Sequence, residues 1–286
     1  KDGELGKTIA RGDDAQMEAE ALEVARQADV IVCAMGETAD MSGECASRTD
    51  LRMPDAQRHL LAQLARTGKP IVLLNFSGRP TVLTWEQEHL PAIMNVWFGG
   101  SEAADAICDV IFGDKVPCGK LTASMPKTTG QEPLYYNHQN TGRPVPDDNP
   151  RFAKFASNYL DVRNGALYPF GYGLSYTTFE YGPLQISADH TATVRVTNTG
   201  SRAADEIVQL YIRDKVASIS RPVKELKAFR RIHLAAGESQ DVSFQITPDM
   251  LKFYNADLQY VLEPGEFDIM VGPNSRDTKN GTISVK

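Results

Sequence analysis

The chain has 286 residues, of which 42% are hydrophobic and 8% are aromatic, so it is long enough for two domains that each bury a core. Its net charge of −7, without a stripe of basic residues, argues against nucleic acid and anionic membranes as partners. No run of about 18 apolar residues predicts a membrane-spanning helix. The chain opens on Lys1 without an initiator Met or a signal peptide, and we expect a longer precursor.

The first part of the chain alternates predicted helices with predicted strands. Apolar residues at helical spacing predict a helix over 14–28, and Pro54 suits the first position of a second helix that Gly68 ends. A third helix is predicted over 103–112. Uninterrupted apolar strands between helices indicate a parallel sheet covered on both faces. The predicted strands are residues 30–36, 70–76 and 92–98.

The second part of the chain has a different pattern. Residues 131–178 are rich in Pro, Gly, Asn and Tyr and predict an irregular linker that packs between domains. Residues 179–286 show short alternating strands separated by Gly-containing turns, which predict an all-β sandwich of immunoglobulin or fibronectin type III kind. The predicted organisation is therefore an α/β domain over 1–130, the linker, and a β-sandwich.

Several charged side chains follow the predicted strands, where active sites of open α/β sheets lie. Glu44 follows the first strand, and we interpret it as a catalytic acid rather than a solvated loop residue. Glu37 is a rival carboxylate, but its place directly at the strand end favours a structural role. Arg48 and Asp50 either contact substrate or hold Glu44 in place, by pairing with each other or with the loop backbone. Arg79 follows the second strand and either contacts substrate or fixes loops through a buried ion pair.

A series of short motifs along the chain resembles family-3 glycoside hydrolases, and the similarity to bacterial periplasmic β-glucosidases is high. Each motif alone is weak, but together and in this order they are specific. They are Ser47-Arg48-Thr49-Asp50-Leu51, Gly68-Lys69-Pro70, Gly78-Arg79-Pro80, Trp97-Phe98-Gly99-Gly100-Ser101-Glu102, Phe112-Gly113-Asp114, Gly119-Lys120-Leu121, residues 168–176 and residues 220–229.

The resemblance implies a three-domain enzyme with a TIM-like barrel, an α/β sandwich and a fibronectin type III-like domain. The barrel is absent from this chain, because eight βα units need roughly 200 residues or more. In such a family the barrel supplies a nucleophilic Asp and the second domain supplies the acid/base Glu, which would be Glu44 here. A retaining glycosidase needs both carboxylates, about 5–5.5 Å apart. We therefore expect this chain alone to be inactive.

The same resemblance implies a substrate, a compartment and partners. The expected substrate is a β-linked gluco-oligosaccharide or an aryl glucoside, and the expected location is periplasmic or secreted. The barrel of the same protein is the expected partner, and an oligomer is compatible with the sequence. No metal constellation is visible, since the four cysteines form no CxxC or zinc spacing, and the mechanism requires no cofactor.

Two alternatives remain open from the sequence. The first is another β-glycosidase of the same family, such as a β-xylosidase, because the pocket for the sugar's hydroxymethyl group lies mostly outside this chain. The second is a non-catalytic carbohydrate-binding or structural fragment. A nucleotide-binding flavodoxin-like domain is disfavoured, because no glycine-rich phosphate loop follows the first strand.

Overall fold

A computed structural model describes residues 14–149 and 152–286, and the chain divides into two compact units. The first unit takes in the chain up to Cys108 together with Met125–Glu132. The second unit comprises Asp109–Ser124 and Pro133–Lys286.

The first unit contains a three-stranded parallel sheet. Short 3-10 turns lie at Ala39–Met41 and Thr129–Gln131. The helices and strands alternate as α1 (Asp14–Gln27), β1 (Ile31–Gly36), α2 (Asp55–Ala65), β2 (Ile71–Phe76), α3 (Thr84–His89), β3 (Ala92–Asn95) and α4 (Ala103–Phe112), which extends past the end of the unit. The sheet has the order β1-β2-β3, and α3 is a helix that was not predicted from the sequence.

One face of this sheet is buried, and the other is buried at Leu74 of β2, which is 6% exposed, but open along β1. This corrects the prediction that helices cover both faces. Cys33 of β1 and Leu73 of β2 lie in the core with Leu61 of α2. The alternate residues of β1 lie on the opposite face, where Val32 is 49% exposed. An uninterrupted apolar strand predicts burial on both sides, but it does not say which segment supplies the second cover.

Backbone constraints explain where the elements begin and end. Pro54 is the residue before α2 rather than its first residue, because its ψ of 141° is extended. Gly68, with φ +73°, follows α2 as predicted. β3 is shorter than predicted and ends at Asn95, and Trp97 has a left-handed φ of 51° that no strand residue adopts.

The end of β1 is fixed by a glycine. Gly36 has φ +129°, and a Cβ atom there would lie 1.9 Å from the carbonyl oxygen of Phe76, so only glycine fits. The side-chain amide of Gln57 accepts a hydrogen bond from the Gly36 N–H at 2.7 Å and donates one to its carbonyl oxygen at 2.9 Å. α2 therefore holds the point at which the chain leaves the sheet.

The second unit contains an antiparallel β-sandwich, which confirms the predicted all-β domain. The strands are β4 (Phe179–Tyr181), β5 (Gln185–Ile186), β6 (Thr191–Asn198), β7 (Ala204–Asp214), β8 (Glu225–Leu234), β9 (Ser239–Gln245), β10 (Phe253–Tyr254), β11 (Tyr260–Val261), β12 (Gly265–Gly272) and β13 (Lys279–Val285), with the one-turn helix α5 (Pro248–Leu251) before β10. One sheet has the order β13-β12-β7-β8, and in the other β6 pairs with β4, β5 and β9. Apolar side chains of both sheets form one core.

The irregular segment of the second unit packs on strand β7. The ring of Phe170 stacks on Tyr136 with centroids 4.1 Å apart and meets the edge of Tyr211. Gln209 donates a hydrogen bond to the carbonyl oxygen of Gly171 at 3.0 Å. The described residues of this segment form no long helix or strand, yet aromatic contacts and buried hydrogen bonds fix it to the sandwich.

Candidate functional site

The predicted site residues lie on loops at one edge of the parallel sheet. Because β1, β2 and β3 run in the same direction, the loops that follow them meet at the carboxyl edge. The loop after β1 carries Glu37, Glu44, Arg48 and Asp50, and the loop after β2 carries Arg79. The sheet topology therefore brings the sequence-predicted residues to the expected edge.

Glu44 occupies the tip of a tight turn. The Ala46 N–H donates a hydrogen bond to the carbonyl oxygen of Gly43 at 3.2 Å. Gly43 has φ 132°, a conformation suited to glycine, and Cys45 has a left-handed φ of 61°. The Glu44 side chain is exposed. The turn thus presents a carboxylate outward from the sheet edge.

Arg79 holds both ends of this turn. Its Nη2 donates hydrogen bonds to the carbonyl oxygens of Met41, at 2.5 Å, and Ala46, at 2.7 Å. These two acceptors lie on either side of Glu44 in the chain. One guanidinium group from the loop after β2 therefore fixes the segment that carries Glu44 on the loop after β1.

A buried carboxylate, Glu37, holds the arginines in turn. Its side chain is 1% exposed and forms ion pairs with Arg79, at 2.9 Å, and with Arg48, at 3.1 Å. The Gly78 N–H donates a further hydrogen bond to it at 3.2 Å. Glu37 is thus the centre of an ion cluster under the Glu44 turn, which fits the structural role that its position at the strand end indicated. Arg79 forms its buried ion pair with this carboxylate.

Asp50 pairs with Arg52 and not with Arg48, which corrects one of the two predicted pairings. The Arg52 guanidinium lies 2.5 Å from the Asp50 carboxylate, and this contact lowers the pKa of Asp50 to about 2. Arg48 instead donates to the Arg52 carbonyl oxygen at 3.1 Å, besides pairing with Glu37. Asp50 is therefore a stable carboxylate rather than a proton donor, and Arg48 holds the loop backbone.

A cleft of about 500 Å³ lies beside this loop, between helices α2 and α3, and we call it the α2–α3 cleft. Its lining includes Glu86 of α3, which is 3% exposed. Arg58 of α2 and Lys127 also line it, and Asp50 and Arg52 form its wall on the side of the Glu44 loop. No pattern in the sequence predicts this cleft, because a six-residue polar helix is typical of a solvated segment.

Glu86 provides a pH-dependent prediction. Burial raises the pKa of Glu86 above its ordinary value of 4.5, so the folded state binds this proton more tightly than the unfolded chain. The stability that this proton contributes is fully present below pH 4.5, the pKa of the unfolded chain, and it is lost as pH rises through the pKa of the folded state. We expect the wild-type free energy of unfolding, relative to Glu86→Gln, to fall as pH rises from about 4.5. Denaturant titrations at several pH values would measure this difference, and a constant difference would contradict the assignment.

Within the described residues, no group of three or more His, Cys, Asp or Glu side chains is placed to hold a metal ion. The helices of this same part of the chain include none that is long and apolar enough to cross a membrane.

Comparison with known families gives two matches along the chain. The model of the glycosyl hydrolase family 3 C-terminal domain matches residues 4–176, and that of the fibronectin type III-like domain matches residues 206–275. The first match includes the whole loop that carries Glu44. The order of the two matches is the order that the sequence motifs implied.

Individual relatives agree with these matches. A periplasmic β-glucosidase from Salmonella typhimurium is 46% identical over 273 residues, which are 93% of this chain and 35% of that protein. A β-xylosidase from Formosa agariphila is 40% identical over 277 residues, 93% of this chain and 37% of that protein. This chain thus spans little more than a third of the length of these relatives.

Solved structures show the same fold. A β-glucosidase from Listeria innocua, in complex with gluconolactone, superposes with a TM-score of 0.86 at 39% identity, covering 94% of this chain and 38% of that one. A β-glucosidase from Kluyveromyces marxianus, in complex with glucose, gives 0.79 at 30% identity over 97% of this chain and 34% of that one. The predicted fold class and resemblance are confirmed. Since the C-terminal domain model alone matches more than half of the residues, the chain belongs to glycoside hydrolase family 3.

Proposed function

We propose that this chain is the C-terminal portion of a retaining, exo-acting β-glucosidase, in which Glu44 is the acid/base catalyst of an active site completed by an N-terminal barrel. The observation that carries the proposal is the Glu44 turn, which an arginine holds at both ends and which presents an exposed carboxylate at the sheet edge. The β-glucosidases among the relatives favour terminal β-linked glucose as the substrate.

The proposed reaction uses Glu44 twice. In the first step Glu44 gives its proton to the glycosidic oxygen as the bond to the anomeric carbon breaks, and a carboxylate of the barrel attacks that carbon. In the second step the Glu44 carboxylate takes a proton from water, and the water oxygen displaces the barrel carboxylate. Glucose leaves with its β configuration retained, and Glu44 is protonated again.

Both steps require a carboxyl group that is held in place. Misplacement of a catalytic group by about 1 Å can cost about a hundredfold in rate. Arg79 fixes the two carbonyl groups beside the turn, and Glu37 fixes Arg79. We assign Arg48 and Arg79 to positioning of the loop. Asp50 contributes through Arg52, whose carbonyl oxygen accepts a hydrogen bond from Arg48.

The same relatives support a proposal for the compartment and the partners. The periplasmic β-glucosidase of Salmonella typhimurium supports a periplasmic or secreted location. The proposed partners are a β-linked gluco-oligosaccharide or aryl glucoside and the barrel domain of the same protein, and an oligomer is compatible with this arrangement.

A β-xylosidase activity is the second candidate, because the Formosa agariphila β-xylosidase is 40% identical to this chain. The protein that joins this chain to its barrel should be assayed with p-nitrophenyl β-glucoside and p-nitrophenyl β-xyloside. The glucoside should give the larger kcat/KM. Proton NMR should show that the anomer released first is β.

The 286-residue chain alone should not hydrolyse either aryl glycoside, because it lacks the second carboxylate that a retaining mechanism needs. Activity should be at the level of a buffer blank, whereas the protein with its barrel turns over. Measurable turnover by the purified chain would contradict the shared active site. If the protein with its barrel is also inactive, the non-catalytic alternative is favoured.

A further inference from the structure

The first unit contains a cleft, separate from Glu44, whose lining suits a sugar. We propose that the α2–α3 cleft binds a neutral saccharide. The cleft, of about 500 Å³, lies within the range of about 300–1,000 Å³ that is typical of small-molecule sites. This proposal concerns binding alone, and it holds or fails independently of whether Glu44 is a catalyst.

The buried carboxylate of Glu86 is the strongest evidence for a ligand. Glu86 lines the cleft, is 3% exposed, and forms none of the ion pairs within the described part of the chain. Within the described part of the chain, the contact that favours its charged form most is with its own backbone amide. A carboxylate has about four acceptor positions, and those of Glu86 that face the cleft can accept hydrogen bonds from a ligand. Hydroxyl groups of a sugar are suitable donors for these positions.

Arg58 is the basic side chain of the cleft that is best placed to donate hydrogen bonds to a ligand. It lines the cleft from α2, and its ion-pair partner is the exposed Asp55 at 2.9 Å. A surface pair of this kind holds a side chain only weakly, so Arg58 can turn its donors to a ligand at little cost.

The charges of the cleft favour a neutral ligand. Three acidic and three basic side chains line it, so its formal charge is zero, and an anion or a cation gains no net attraction. The threonine hydroxyl groups of Thr84, Thr128 and Thr129 add further polar surface, and Val82 and Trp85 form an apolar wall. Donors, acceptors and an apolar wall together suit a sugar ring. The charged residues are Asp50, Glu86, Glu88, Arg52, Arg58 and Lys127.

The test is an NMR titration of the purified 286-residue chain with glucose, cellobiose and, as an ionic comparison, inorganic phosphate. We expect saturable amide shifts at residues 84–88 and 127–129 with the sugars. Glu86→Gln should weaken the sugar affinity at least about tenfold, because it removes a charged hydrogen-bond acceptor. Arg58→Met should weaken it severalfold, and Arg66→Met, on an arginine that follows α2 and does not line the cleft, should leave it unchanged.

Three outcomes would overturn the proposal. The first is no shift at these amides with either sugar, and the second is sugar shifts that neither Glu86→Gln nor Arg58→Met weakens. The third is saturable binding of phosphate alone, which would assign the cleft to anions. If Glu86→Gln perturbs the fold, as its amide spectrum would show, the Arg58→Met titration decides, since Arg58 is on the helix surface.

Discussion

Replacing Glu44 by alanine should lower the kcat of the protein with its barrel by about a hundredfold to ten-thousandfold on p-nitrophenyl β-glucoside. The substitution removes the proton donor of the first step and the base of the second. It should leave folding unchanged, because the side chain is exposed and the turn depends on backbone hydrogen bonds of its neighbours. Steady-state kinetics with wild-type and Glu44→Ala proteins measures the loss.

Substrates with different leaving groups identify the residue that acts as the acid. A dinitrophenyl glucoside needs little protonation of its leaving oxygen, so the first step should be almost normal in Glu44→Ala. The second step still lacks its base, and azide should restore turnover by attacking the sugar without one. Formation of glucosyl azide would establish the acid/base role.

A matched control is available in Glu102, which is an exposed carboxylate after β3. Glu102→Ala should leave kcat and azide sensitivity close to wild type. An unchanged rate in Glu44→Ala, or a larger loss in Glu102→Ala, would move the acid to another position and reduce the Glu44 loop to a structural element.

The sequence was sufficient to predict the sheet and the edge at which the site lies. Apolar runs of six or seven residues predicted β1 and β2 to within one residue, and parallel direction followed from the helices between them. Parallel direction puts successive loops at one edge, so the proximity of Glu44 and Arg79 follows from topology alone.

The partners of the charged residues could not be predicted in the same way. Arg48 and Asp50 are two positions apart, which makes their pairing reasonable, yet Arg48 reaches back eleven residues to Glu37. Arg79 pairs with the same carboxylate across 42 residues. Such pairs depend on how two loops fold over one another, and no local spacing encodes that.

The burial of a short polar segment could not be predicted from the sequence either. Glu86 lies in the sequence Thr84-Trp85-Glu86-Gln87-Glu88-His89, in which three of six residues are acidic or His, and nothing distinguishes it from the exposed Glu88. Only the packing of α3 decides which glutamate turns inward. The prediction that helices cover both faces of the sheet was too strong for a related reason. An apolar strand indicates that its side chains are buried, but not which segment buries them.

Replacing Glu37 by glutamine should destabilise the first unit by about 3–5 kcal/mol, which is the usual cost of removing one partner from a buried ion pair. The glutamine has nearly the same shape, so the loss arises from the two arginines, Arg48 and Arg79, left without their counter-charge. The Glu44 turn should also loosen, because Arg79 is its clamp.

Tryptophan fluorescence isolates this effect, since the only two tryptophans, Trp85 and Trp97, both lie in the first unit. Urea unfolding followed at the tryptophan emission should therefore show the loss in Glu37→Gln. Asp50→Asn, which breaks a half-exposed pair, should cost about 0–1 kcal/mol on the same scale. Faster hydrogen exchange at the Ala46 amide, whose bond closes the Glu44 turn, would connect the lost charge to the loop. A loss no larger than that of Asp50→Asn would mean that Glu37 does not hold the turn, and the position of Glu44 would then depend on contacts made outside this cluster.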